Sequence, residues 1–382
     1  MTRRRQSGRA QHCLVLLYNE AVKAWDVVII GGGVIGLSLG WRLRREGLEV
    51  LIIDKGEPGR EASHAAGGMI AHCDPLLPDV LRPLAFASAA MYPEFVRELQ
   101  EESGESADLR DRGVIAFLRE DELPGCDGSR AIESDEIQHL EPALTQAPLD
   151  QGARGWWLPE CSVDPRALCL ALLNAAKHRG VDFVTGSAVL EVEVAAGRAA
   201  AVETAHSSYR ADVVVNCAGA WASQIQPLGL PTHPVKGQLV CVVPVLGSRE
   251  ELLLQHVIRT PEVYIIPRSD HRILLGATVE DAGFDKRTDA DTVERLYQAA
   301  AAVIPRISEM RIHDAWAGLR PGSPDKLPIM GETAMPGYFA ATGHYRDGIM
   351  LAPITAEIVT RVITGKPSEF DLQPFSPARF AQ

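Results

Sequence analysis

Apolar residues first gather in the run Asp26-Val27-Val28-Ile29-Ile30, which is uninterrupted rather than alternating and so predicts a strand covered on both faces. After Gly31-Gly32-Gly33-Val34-Ile35-Gly36 the apolar positions of residues 37–46 recur at helical spacing, and Gly47 stands where a helix cap is expected. Val50-Leu51-Ile52-Ile53-Asp54 supplies a second buried strand, so residues 26–54 predict a β-α-β unit. Farther on, Ser162-Val163-Asp164-Pro165 opens a helix that should end at Arg179 before Gly180. Strands are expected at residues 181–184, 189–194, 199–204 and 213–216. The pattern then changes character. Between Pro234 and Thr278 the segments 239–243, 263–267 and 273–278 read as an antiparallel sheet, followed by a helix at 291–303, a strand at 338–341 and a helix at 350–363 closed by Gly365.

Parallel-type units at both ends with an antiparallel block between them predict an α/β fold, in which a Rossmann-like nucleotide domain is interrupted by an inserted α+β antiparallel-sheet domain. The expected division assigns 25–90, 155–222 and 320–382 to the nucleotide domain, and 91–154 and 223–319 to the inserted substrate domain. Residues 1–24 are read as a disordered extension. Their basic start and the run Cys13-Leu14-Val15-Leu16-Leu17-Tyr18 resemble a signal peptide, but Glu20 and Lys23 interrupt it and no small-residue cleavage site follows.

Composition narrows the partners. The 382 residues carry 38 basic and 50 acidic side chains, a formal charge of −12, and no basic stripe interleaved with aromatics, so no nucleic-acid surface is presented. With 46% hydrophobic and 23% charged residues the chain can bury a sizeable core. No apolar run approaches the roughly 18 residues of a membrane helix. The seven cysteines are odd in number, scattered and never in C-x-x-C, so neither a disulfide framework nor a zinc site is expected, and a reducing cytoplasm is the simplest setting. No His, Cys, Asp and Glu cluster has ligand spacing, and no metal is expected.

Gly31-x-Gly33-Val34-Ile35-Gly36 carries the first chemistry, because it follows a strand and opens a helix. Gly31 permits the tight turn, Gly33 lets backbone approach a pyrophosphate, Gly36 allows close helix–strand packing, and the helix N-terminus offers free N–H groups to phosphate. Asp54 ends the second strand, where a carboxylate accepts ribose hydroxyls; Lys55 follows it. The fingerprint alone leaves NAD and FAD open.

Six further segments follow in order: Gly59-Arg60-Glu61-Ala62-Ser63-His64-Ala65-Ala66-Gly67-Gly68-Met69, Asn216-Cys217-Ala218-Gly219-Ala220-Trp221, Pro234-Val235-Lys236-Gly237-Gln238, Tyr264-Ile265-Ile266-Pro267-Arg268, Trp316-Ala317-Gly318-Leu319-Arg320-Pro321-Gly322, and Thr342-Gly343-His344-Tyr345-Arg346-Asp347-Gly348-Ile349-Met350-Leu351-Ala352-Pro353. Together with residues 26–36 they resemble the D-amino-acid oxidase type of FAD-dependent oxidoreductase, with its glutathione-reductase-type FAD domain, and within it the glycine oxidases of thiamine biosynthesis. The resemblance implies FAD contacts from Arg60 to Ser63 and Ala66 to Met69, from Val189 to adenine, from Ala218, Gly219 and Trp221, and from the Gly343 to Met350 turn at the electron-rich end of the flavin.

It also implies that Arg320, Arg346 and Tyr264 grip the substrate carboxylate, with Leu319-Arg320-Pro321 in a loop. Charge-assisted hydrogen bonds there are worth about 1.5–3 kcal/mol each. No protein acid or base is required, because the flavin takes the hydride equivalent from the α-carbon. His64-Ala65-Ala66-Gly67 is the context in which relatives that oxidise methylated glycines join histidine to flavin; the plainer reading is a polar side chain beside the cofactor, and non-covalent FAD is expected. Asp347 departs from the family's asparagine and adds negative charge beside Arg346.

The resulting expectation is oxidation of glycine, sarcosine or other small amino acids to an imine, with O2 reduced to H2O2, in a dimer or a tetramer. Three alternatives stay open: a dehydrogenase of D-amino or N-methyl amino acids that passes electrons to a quinone or partner, a non-catalytic flavoprotein subunit, and a nicotinamide-linked enzyme.

Overall fold

The structure is a computed structural model that describes residues 23–245 and 251–380. The expected extension lies outside the described residues as far as residue 22; Lys23 pairs with Asp182 and Ala24 already begins the first strand. Strand β1 (Ala24–Ile30), helix α1 (Val34–Arg45) and strand β2 (Val50–Ile53) form the expected unit, with the last four residues of β1 and all of β2 buried. Burial of each such Val, Leu or Ile stabilises by roughly 1.5–3 kcal/mol, which explains why both strands lack alternation. Helices α2 (Ala62–Ala65), α3 (Arg82–Ser103) and α4 (Pro165–His178) follow. Asp164 caps α4 by accepting from the Arg166 and Ala167 N–H groups, and Gly180 leaves it at φ +83°.

The first sheet runs in the order Ile329–Glu332, Tyr338–Thr342, Ser208–Asn216, β1, β2, Asp182–Val184, parallel along this path except at the first pair, and Arg198–Thr204 with Val189–Ala195 adds an antiparallel branch at Ser208–Asn216. We label Ser208–Asn216 β3. The second sheet contains β4 (His233–Val243), β5 (Tyr264–Pro267), β6 (Ile273–Gly276) and β7 (Arg311–Gly322); its order is β7, β4, β6, β5, Val257–Arg259, Val114–Leu118, Arg154–Leu158, Arg130–Ala131. It is antiparallel except where Val257–Arg259 meets Val114–Leu118. Helix α5 (Ala290–Val303) packs on β4. Strand β8 (Tyr338–Thr342) and helix α6 (Gly348–Ile363) return the chain to the first layer, where α6 packs on α1 and α3.

Three expectations change. The boundary at 90/91 falls inside α3, whose buried Tyr92, Phe95 and Leu99 join the core of the first layer. The boundary at 319/320 and the loop expected at Leu319-Arg320-Pro321 fall inside β7, which pairs with β4 along its whole length, Arg320 opposite Val235. Cys73 and Cys126, expected to be free, are joined in a disulfide; they lie 53 positions apart, so only tertiary contact reveals the pair.

Pro353 lies inside α6 and lacks the N–H that would bond the Ile349 carbonyl. Tyr92 of α3 donates its hydroxyl to that carbonyl instead, while Ser88 donates to the Met350 carbonyl at 2.6 Å and accepts from the Ile354 N–H at 3.4 Å. Two α3 hydroxyls thus splint the first turns of α6.

Candidate active site

A cavity of about 650 Å³ is walled by both layers. On the first layer its wall begins at the β1–α1 turn. Gly31 has φ +102°, and a Cβ there would meet the Cys217 carbonyl, so this turn tolerates only glycine. Asn216 holds the neighbouring turn by accepting from the Ala218 N–H at 3.1 Å and donating to the Ala222 carbonyl and the Tyr338 hydroxyl. Asp54 accepts from the Gly32 N–H at 2.7 Å and the Gly56 N–H at 2.8 Å while remaining in the wall. Beside it, Lys55 lies 3.1 Å from the Trp221 ring centroid and 3.1 Å from Glu61.

Two helices end on this cavity without a side-chain cap. At α1 the Val34 N–H donates to Ser63 Oγ at 2.9 Å, and the Ile35 and Gly36 N–H groups have no acceptor among the described residues. At α6 Asp347 makes no capping bond, which leaves the Gly348, Ile349 and Met350 N–H groups without acceptors among the described residues. Each end carries a partial positive charge and orphan donors. That donor set fits a pyrophosphate at one end and the carbonyl-rich edge of a flavin at the other, so the residues present suit FAD.

The second layer supplies a cationic clamp. Gly237 on β4 leaves room for the Arg320 guanidinium, because a Cβ there would collide with it. Arg320 Nη1 is held by the Lys236 and Thr278 carbonyls at 3.2 and 3.0 Å. Tyr264 of β5 is flanked by Gly67 and Gly276 and lines the cavity beside Arg320. Burial raises the Tyr264 pKa, opposed by Arg320 and then Arg346, so the hydroxyl stays protonated and can donate. Arg346 is 46% exposed and pairs with Asp74 at 3.0 Å; Asp74 also lies 4.0 Å from Arg259, which reaches buried Glu160 at 3.4 Å. Burial pushes Glu160 upward against the pull of Arg259.

Asp347 also lines the cavity. Burial raises its pKa to about 6, with Arg346 lowering and Asp74 raising it; Arg346 bonds Asp74 rather than this chain neighbour. His344 is buried, its pKa pushed down to about 3, and its Nε2 meets Thr355 Oγ1 at 3.0 Å; it stays neutral and structural.

Most expected site residues share this wall, among them Val189, Ala66, Met69 and Tyr345. Five stand back from it. Gly36 packs against the Gly31 carbonyl, Arg60 makes an exposed ion pair with Glu57 at 3.2 Å, and Gly343 turns at φ +73° against Ile329. Met350 is buried under Ser88, and His64 contributes only its carbonyl, to Arg166 Nε at 3.2 Å. Sequence reading missed Asp74, Arg259 and Glu160, which no local pattern distinguishes from surface charge. It also missed the proximity of His72, Cys73 and Cys126, whose ligand atoms lie within 4.8 Å of one another.

A dinucleotide turn in one layer and Arg320 with Tyr264 in the other face one cavity, the arrangement of a nucleotide-dependent oxidoreductase. The chain belongs to the DAO family of FAD-dependent oxidoreductases, whose model matches residues 26–362, and FAD is its cofactor. It is 33% identical over 360 residues to the bifunctional protein ThiO/ThiG of Synechocystis sp., covering 93% of this chain and 54% of that one. The chain thus spans about half the length of the first of its curated relatives. It is 31% identical to hydrogen cyanide synthase subunit HcnC of Pseudomonas aeruginosa, covering 94% and 97%. The crystal structure of glycine oxidase from Geobacillus kaustophilus superposes with a TM-score of 0.86 at 32% identity, covering 94% of this chain and all of that one. Among the described residues no helix is long and apolar enough to cross a membrane.

Proposed function

We propose that the chain oxidises glycine, and sarcosine or other small amino acids, to the imine and then the 2-oxo acid, with O2 as acceptor and H2O2 as product, and that the imine feeds thiazole assembly in thiamine synthesis. FAD, non-covalently bound, supplies the two-electron acceptor; the chain supplies binding and orientation. Arg320 and Tyr264 hold the substrate carboxylate, and Arg346 contributes when it leaves Asp74. The Arg320 fork is already fixed by two carbonyls, so little side-chain entropy is lost on binding. The α6 N-terminus offers three N–H donors that would suit the edge of the flavin where negative charge gathers on reduction, favouring electron uptake. The observation that carries the reading is the Arg320–Tyr264 clamp facing the same cavity as two uncapped helix ends. Anaerobic glycine should bleach the flavin, and in air each oxygen consumed should appear as one peroxide. An unbleached flavin with every amino acid tried would exclude the reading.

The likeness to a subunit of a hydrogen cyanide synthase supports a second reading, in which the chain works beside a partner; we propose for that case that electrons pass to the partner rather than to oxygen. Bleaching without peroxide would select it.

A further inference from the structure

Behind the cavity wall lies a reactive cluster for which hydride removal has no use. Ala71 and Asp74 line the cavity on one segment, Arg119 and Glu122 on another. His72 and Cys73 lie inside the first segment and Cys126 just beyond the second, with one ring nitrogen and two sulfurs within 4.8 Å. The two sulfurs are bonded in the structure. Backbone contacts hold the segments side by side independently of that bond. The Gly125 N–H donates to the Cys73 carbonyl at 3.0 Å, Arg82 Nη1 donates to the Gly125 carbonyl at 3.2 Å, and the Cys73 N–H donates to Glu160 at 2.8 Å. Such pre-alignment favours ring closure, since little chain entropy remains to be lost. Cys73 is buried and Cys126 half-buried, so a small solute reaches Cys126 first. The thiolate is the form that attacks peroxide.

We propose that Cys73 and Cys126 form a dithiol that is closed by the hydrogen peroxide this cavity releases. The proposal rests on the oxidase reading, which supplies the oxidant. Cys126 thiolate attacks one peroxide oxygen; the O–O bond breaks, leaving a sulfenic acid and hydroxide. Cys73 thiolate then attacks the sulfenic sulfur, the S–S bond forms, and a second hydroxide leaves. With the two thiol protons the balance is two thiols plus H2O2 to one disulfide plus two waters; the sulfurs lose two electrons and peroxide gains them. Closure pins the segment that carries Asp74, the acid that holds Arg346 at 3.0 Å. The closed form therefore binds substrate carboxylate more weakly than the open dithiol.

The test uses FAD-loaded enzyme, reduced with dithiothreitol and freed of it without oxygen, then turned over on glycine in air with and without catalase. Peptide mapping after alkylation should show the Cys73–Cys126 link only without catalase, with KM for glycine rising at least threefold. Cys126→Ser should form no link and show no peroxide-dependent KM change. Thiols that stay free after both turnover and added peroxide would overturn the proposal. So would a reduced protein carrying one zinc per chain that shields these thiols, because the cluster would then be a metal site. Closure that does not alter KM would overturn the coupling to Asp74. Closure by added peroxide but not by turnover that releases measured peroxide would overturn the internal source of oxidant and leave the oxidase reading standing, whereas turnover without any peroxide would overturn the oxidase reading itself.

Discussion

The two walls of the cavity are built by opposite strategies. The nucleotide wall is local: β1, the Gly31 turn and α1 lie within residues 24–45, and Asp54 closes the turn from the end of the next strand. The substrate wall is assembled from a distance. Arg320 on β7 needs the absent side chain of Gly237 on β4 and carbonyls at Lys236 and Thr278, and Tyr264 on β5 needs Gly67 from the other layer. Cofactor binding should therefore fail through single backbone positions, and substrate binding should degrade in steps.

The largest effect should come from the local wall. Gly31→Val forces a disfavoured φ and a collision with the Cys217 carbonyl, and should abolish flavin binding; a normal flavin-to-protein absorbance ratio in folded protein would break the contrast. Gly33→Ala should be far milder, because its Cβ meets only Ser63 Oγ at 3.4 Å. Next, Arg320→Ala should raise the glycine KM by about 100-fold or more with flavin retained, the loss of one or two charge-assisted hydrogen bonds at about 1.5–3 kcal/mol each. An unchanged KM would remove Arg320 from the clamp. Tyr264→Phe deletes one neutral donor, about 0.5–1.5 kcal/mol, so a KM rise of about threefold to tenfold is expected with the flavin spectrum intact.

The smallest effect concerns Asp347. Its folded pKa, raised to about 6 by burial, exceeds the ordinary 3.8 of the unfolded chain. The stability this group contributes is therefore fully present below about pH 4 and is lost as pH rises through 6. Asp347→Asn apoprotein should melt higher than the parent at pH 7, with the gap closing towards pH 4; a gap independent of pH would exclude burial of the charge as its cause.

The same contrast decides what the sequence discloses. β1, α1, α4 with its Asp164 cap, and α6 were legible because their signals lie within one element. Helix α3 was not, since Pro93 and its Ala-rich, acid-studded course blur the period. β7 read as a loop because Gly318, Pro321 and Gly322 resemble turn residues; they serve close packing instead, with Gly318 against Ala65 and Gly322 against His233. Arg320 and Tyr264 could be named from motif resemblance, but their juxtaposition in the cavity wall and the Gly237 vacancy depend on register between strands. The Arg346–Asp74 pair joins positions 272 residues apart, and only the folded chain brings them together.

Proline at position 353 gives α3 an influence on the cavity-facing end of α6. With the helix ladder broken there, the aim of the terminal amides depends on Tyr92 and Ser88 bridging the gap from behind. Under the proposed function those amides face the flavin, so a hydroxyl lost on that hidden side would detune the ring's redox midpoint while every group proposed to touch substrate stayed in place.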